Sequence, residues 1–232
     1  MIDERFYRTA LLLGDSAIET FSKKHIIVFG LGGVGSYAVE ALARSGIGEI
    51  TLVDNDKVSV TNINRQIIAL TSTVGKNKVD VEEERLKDIN PNIIIHKNNS
   101  FILPENISQF DFSKYDYIVD CIDTISTKIA LIEKSPHKII TCLGTGNKLD
   151  PMGFKVSTIE KTSVCPLAKV IRKKLKEKGI NNVKCVYSQE NPMHSIVKED
   201  EEKTGRHSPA SISFVPAAAG LLIASEVLKS LL

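Results

Sequence analysis

The feature that most narrows the fold is a six-residue run, Gly30-Leu31-Gly32-Gly33-Val34-Gly35. It directly follows the apolar segment His25–Phe29 (HIIVF) and opens a helix-forming stretch over residues 33–45. A continuous apolar run ending in glycine suits a strand buried on both faces, as in a parallel sheet. The run fits G-x-G-x-x-G. Its glycines let the backbone turn tightly and come close to a phosphate, while the following helix offers free N–H groups and a positive dipole end. The next apolar run, Glu49–Val53, ends in Asp54, where a carboxylate can accept hydrogen bonds from ribose hydroxyls. A glycine turn used only for helix–sheet packing would not need this surrounding order, so the context points to a nucleotide.

The rest of the chain supports an alternating pattern. Residues 4–21 carry apolar side chains at helical spacing, with a break near Gly14. Further helices are expected at 76–89, 124–134 and 166–178. Further strands are expected at 93–96, 115–119, 138–143, 154–159 and 183–187. Strands alternating with helices predict an α/β, Rossmann-like, doubly wound and mostly parallel sheet. At 232 residues, one such domain over 1–232 is expected, with an irregular C-terminal extension and a less regular, substrate-facing region at about 144–215. Residues 189–208, with the acidic run Glu199 to Glu202, read as a mobile loop.

Charge and cysteine content exclude several classes. The net charge of +2 gives no whole-protein field of the kind a nucleic-acid binder displays, so any such contact needs a local patch. Cys121, Cys142, Cys165 and Cys185 form no C-x-x-C pair, which argues against a zinc knuckle. The N-terminus lacks a signal layout, and the apolar stretch at 214–232 contains Pro216, Glu226 and Lys229. It reads as a packed helix rather than a membrane span, and a cytoplasmic protein with reduced thiols is the expectation. The five histidines show no metal-ligand spacing. His25 reads as structural, and His194 and His207 have no assignable role.

The segment after Asp54 separates this chain from ordinary dinucleotide binders. It places Asp56, Asn62, Asn64, Arg65 and Gln66 close behind the ribose acid, and Lys78 follows at the start of a helix. An Arg and a Lys beside phosphates would neutralise a triphosphate and a departing pyrophosphate. By spacing alone, the cluster fits either a phosphate site or a polar surface loop.

The stretches GLGGVGS, EALARSGIG, LVDNDKVSVTNINRQ and GKNKV together resemble the ubiquitin-activating-enzyme-like (ThiF/MoeB/HesA) superfamily, whose members adenylate carboxylates. With DCIDTISTKIALI, KTSVCPLAKVIRKK and FVPAAAGLL, the resemblance extends to its tRNA threonylcarbamoyladenosine dehydratase branch and covers nearly the whole chain. It implies ATP cleaved to AMP and pyrophosphate, Mg2+, and a tRNA carrying threonylcarbamoyladenosine as substrate. It further implies a homodimer and a sulfur-transfer (desulfurase) protein as a further partner.

The resemblance also implies roles. Gly30, Gly32, Gly33 and Gly35 hold the phosphate loop and Asp54 binds ribose. Asp56, Asn62, Arg65, Gln66 and Lys78 belong to the ATP site, with Arg65 and Lys78 also catalytic. Asp123 is the magnesium-linked carboxylate, and Arg8 reaches the partner's ATP across the dimer. From the residues alone, Asp123 is as well explained as a helix N-cap, and Arg8 as a surface residue of an amphipathic helix.

The basic run at 169–178 fits either a solvated face or a tRNA phosphate contact. No cysteine falls where some relatives carry a thioester, so none is given a catalytic role. Activation of a ubiquitin-like sulfur carrier is the alternative function, and the missing C-x-x-C pairs argue against it. A nucleotide sensor or an NAD-dependent oxidoreductase is disfavoured by the 62–66 cluster.

Overall fold

In the computed structural model, which describes residues 2–194, 196 and 209–232, one seven-stranded sheet organises the chain. The strands are β1 (His25–Phe29), β2 (Glu49–Val53), β3 (Ile94–Asn98), β4 (Tyr117–Asp120), β5 (Ile139–Cys142), β6 (Phe154–Thr158) and β7 (Lys184–Ser188). Their spatial order is β3-β2-β1-β4-β5-β7-β6. All neighbours pair in parallel except β6, which runs antiparallel to β7 at one edge. This is the expected doubly wound, mostly parallel sheet. The reversed direction of β6 was not readable from its apolar run.

Period-two alternation divides the strands between two cores. Ile26 and Val28 of β1 join a core with Val39 and Leu42, together with Ile223 and Val227 near the C-terminus. Ile27 and Phe29 face the other way, into a core with Ile129, Ile132, Ile171 and Leu175. Helix α3 (Gly35–Arg44) and the last helix, α7 (Phe214–Leu231), therefore lie on one face, and α5 (Ile125–Lys134) and α6 (Pro166–Glu177) on the other. Helix α4 (Lys78–Ile89) packs beside α3 and β3. Strand β3 is the second edge and is largely solvent-exposed. Its Lys97 is held by Asp80 and Glu83.

Element boundaries differ from the sequence reading where tertiary contacts override local preference. Residues 76 and 77 stay out of α4 because Lys76 accepts a hydrogen bond from Val58 N and Asn77 bridges to Lys57. Residues 33–34 belong to the glycine turn, and α3 begins at Gly35. The N-terminal segment is two helices, α1 (Tyr7–Leu13) and α2 (Asp15–Phe21), broken at Gly14 as expected. Helix α7 is long and apolar enough to cross a membrane by composition, yet it packs as a core helix and buries Val215, Ala219, Ile223 and Val227 against the sheet side of α3. Most of the loop expected at 189–208, including the acidic run and His207, lies outside the described residues.

Candidate active site

The helices after β1 and β4 leave toward opposite faces of the sheet, and this divergence opens a crevice at the strands' carboxyl ends. A cleft of about 560 Å³ occupies it. Gly30, Gly32 and Gly33 form its glycine turn. Gly30 adopts φ +88°, and a Cβ there would meet the Cys121 carbonyl oxygen at 2.9 Å. Gly35 does not line the cleft. A Cβ at this position would fall 1.8 Å from the Gly30 carbonyl oxygen, so its hydrogen lets α3 close onto the end of β1.

Asp54 ties this turn to the next loop. One carboxylate oxygen accepts from Leu31 N at 2.7 Å and the other from Asp56 N at 2.8 Å. Burial pushes the Asp54 carboxyl above its ordinary value, opposed by Lys78 and by the two backbone donors. A carboxylate has about four acceptor positions, so capacity remains for ribose hydroxyls. Lys78 is almost wholly buried, with Nζ 2.8 Å from Asp56 and 3.7 Å from Asp54. Asp56 thus enters the site by fixing the lysine.

Asn62, Arg65 and Gln66 of the 62–66 cluster line the cleft. A 3-10 turn at Val60–Asn62 is closed by Asn62 Oδ1, which accepts from Ser59 N. Arg65 donates through Nη1 to Thr61 O at 2.8 Å and to Asn64 Oδ1 at 3.0 Å, which orients the guanidinium. Gln66 lines the cleft while buried, and among the described residues its Oε1 has no hydrogen-bond partner. A buried amide oxygen left unsatisfied costs stability unless a ligand completes it, and this fits a polar nucleotide.

Asp123 also lines the cleft. It does not cap α5. The N-cap residue is Thr124, and no side chain bonds the helix start. The Asp123 carboxylate is exposed and, among the described residues, has a single long contact of 3.4 Å from Thr124 Oγ1. Its loop is anchored from below by Asp120, which accepts from Ile122 N through Oδ1. The other Asp120 oxygen accepts from Lys128 Nζ at 2.8 Å and Thr141 Oγ1 at 2.5 Å, all three residues being buried.

Sequence reasoning missed Phe101, Thr145 and Gly146, which also line the cleft. Phe101 follows β3 and is 56% exposed, an unusual placement for an aromatic that only the structure reveals. The segment at 209–213 lies over the mouth. Asn64 Nδ2 donates to Ser211 O, and Asn147 exchanges hydrogen bonds with Ala210. Cys121 lines the cleft, but burial pushes its thiol well above the ordinary range, so it is not a thiolate. The other three cysteines are buried and unpaired.

Arg8 is exposed on α1 and does not line the cleft. On α6, Arg172 is tied to Thr162, whereas Lys169, Lys173, Lys174, Lys176 and Lys178 are exposed. Among the described residues, His194 is exposed and lies outside the cleft lining.

Known proteins share this fold. The model of the ThiF family matches residues 6–232. The tRNA threonylcarbamoyladenosine dehydratase of Bacillus subtilis (strain 168) is 40% identical, over 98% of this chain and 94% of its own length. Its Escherichia coli (strain K12) counterpart is 42% identical over 81% of this chain and 74% of its own. A crystal structure of E. coli tRNA N6-threonylcarbamoyladenosine dehydratase in complex with ATP superposes with a TM-score of 0.88 at 37% identity, covering 100% of this chain and 96% of that one. The complex with AMP gives a TM-score of 0.89 at 36% identity.

Proposed function

The chain belongs to the ThiF family, and on that premise we propose that it is an ATP-dependent tRNA threonylcarbamoyladenosine dehydratase. A carboxylate is a poor electrophile because its leaving group would be oxide. In the proposed reaction, the threonyl carboxylate oxygen of the modified adenosine attacks the α-phosphorus of ATP, and pyrophosphate leaves. The ureido group of the same nucleoside then attacks the activated carbonyl, one of its N–H groups gives up a proton, and AMP departs with the bonding electrons. Ring closure is intramolecular, so proximity stands in for a cysteine nucleophile. This agrees with a Cys121 held as a neutral thiol.

The observation that carries the reading is the single cleft in which the glycine turn, the ribose-type acid Asp54 and the cations Arg65 and Lys78 all meet. The glycine turn and α3 N-terminus receive phosphate, and Asp54 takes ribose. Gln66 supplies its orphaned amide, while Arg65 and Lys78 stabilise charge developing on the pyrophosphate. Asp123 fits Mg2+: its oxygens are open and a hard cation prefers carboxylate donors. Bound there, the ion would neutralise phosphate charge.

The homodimer belongs to the same reading. Leu11, Leu12 and Leu221 are 68%, 81% and 52% exposed, and Leu13, Leu221 and Leu228 line an apolar groove, a surface suited to a second copy. Arg8, on the same helix as Leu11 and Leu12, would then reach the partner's cleft. The exposed lysines of α6 offer charge for tRNA phosphates. A desulfurase partner rests on the family resemblance, and a cytoplasmic location on the N-terminal sequence and the unpaired thiols.

The test supplies ATP, labelled pyrophosphate and tRNA carrying threonylcarbamoyladenosine. Label should enter ATP, and AMP should accumulate with the cyclised nucleoside. Arg65→Ala should lower the rate by about 10²-fold or more with unchanged circular dichroism. ADP and phosphate as products would overturn the assignment.

A further inference from the structure

The register of the sheet gathers three metal-ligating side chains at the end opposite the nucleotide cleft. His25 opens β1 and pairs with Glu49, which opens β2, while His96 on β3 pairs with Thr51. Residues 25, 49, 51 and 96 therefore project from one face of three adjacent strands. The sequence conceals this grouping because Glu49 and His96 are 47 residues apart. Glu49 Oε1 lies 2.7 Å from His96 Nε2 and 3.3 Å from His25 Nδ1, and the donor atoms of all three lie within 4.8 Å of one another. The β3 edge leaves His96 half exposed, so solvent reaches the cluster, whereas His25 is mostly covered.

We infer that His25, Glu49 and His96 form a site for a divalent transition-metal cation of the zinc type, apart from the ATP-linked Mg2+. Ligands about 2.0–2.2 Å from a tetrahedral ion sit about 3.3 Å from one another, so shifts of roughly 1 Å convert the present hydrogen-bonded cluster into a coordination shell. Two imidazoles and one carboxylate suit Zn2+, with water completing the fourth position.

The surroundings supply the outer contacts such a site uses. His25 Nε2 lies 2.8 Å from Thr51 Oγ1. Donation to that hydroxyl leaves Nδ1 as a lone pair facing Glu49. The Tyr115 ring stands edge-on against His25 at 4.7 Å, and Asp116 accepts from His25 N, so the imidazole is confined on several sides. The five-residue strands separate this cluster from the glycine turn by about 15 Å. The ion would therefore clasp the amino ends of β1, β2 and β3 without touching the reaction.

The full-length protein, first stripped with a chelator, should take up one Zn2+ per chain in calorimetry and show a raised Tm. With Co2+ it should show tetrahedral d–d bands and no thiolate charge-transfer band. His96→Ala and Glu49→Gln replace solvent-reachable groups. Each should abolish the uptake and the Co2+ spectrum while leaving pyrophosphate exchange unchanged, which also shows that the variants fold. Failure of the wild type to bind Zn2+, uptake that persists in the double variant, or a thiolate band would each overturn the site.

Discussion

Glu82 sits one helical turn beyond Lys78 on α4, wholly buried, and among the described residues neither carboxylate oxygen has a hydrogen-bond partner. Burial pushes its carboxyl well above the ordinary range. Repulsion from Glu40 and Asp54 adds to this, against the pull of Arg85. The folded chain therefore keeps a proton that the unfolded chain releases near pH 4.5. The stability is complete below that value and is lost as pH rises toward the raised folded-state value. Glu82→Gln should therefore raise stability at pH 8 by about 1 kcal/mol or more and flatten its dependence on pH above 4.5. Urea titrations from pH 4 to 8 measure both, and a variant less stable than wild type at pH 8 would contradict the account. In the sequence, Glu82 is one acid of a charged run, Glu82 to Arg85, and nothing local marks it as buried. Asp54 was legible because it ends a strand, a position with chemical meaning, whereas the burial of Glu82 depends on what packs over α4.

Helices α3 and α7 cross at Gly220. A Cβ there would lie 2.3 Å from the Val34 carbonyl oxygen and 2.9 Å from Tyr37 Cβ. Alanine is the better helix former by about 1 kcal/mol, but the clash is with backbone and cannot be relieved by a rotamer change. Gly220→Ala should lower stability by about 1–3 kcal/mol. It should also raise KM for ATP, because Val34 belongs to the glycine turn that α3 carries. Thermal unfolding together with ATP titration checks this, and an unchanged KM in a destabilised variant would separate the crossing from the site. Element identity was largely legible because β1, β2, β4 and β5 are short runs buried on both faces, which leave an uninterrupted apolar signature. The direction of β6, the withdrawal of residues 76–77 from α4 and the meeting of His25 with His96 are products of pairing between distant segments. No local pattern encodes them.

At the scale of the molecule, the proposed dimer places Arg8 and Arg65 of different subunits at one ATP. Arg8→Ala and Arg65→Ala proteins, each inactive alone, should recover activity when mixed and allowed to exchange. The yield should be about a quarter of wild type, since half of randomly re-formed dimers are mixed and each holds one intact site of two. Exchange demonstrated by a mass or fluorescence tag without recovery would place Arg8 outside the partner's mechanism. The two ends of the sheet raise a separate matter of colloidal behaviour. Strand β3 offers an exposed edge, the kind of surface on which stray chains can add as extra strands. Lys97 stands in the middle of that edge, and its hydrogen bonds to Asp80 and Glu83 hold its ammonium above the ordinary lysine range. The gatekeeping charge is thereby held more firmly than that of a free lysine. An incoming strand would have to strip it from two carboxylates before its own backbone could dock.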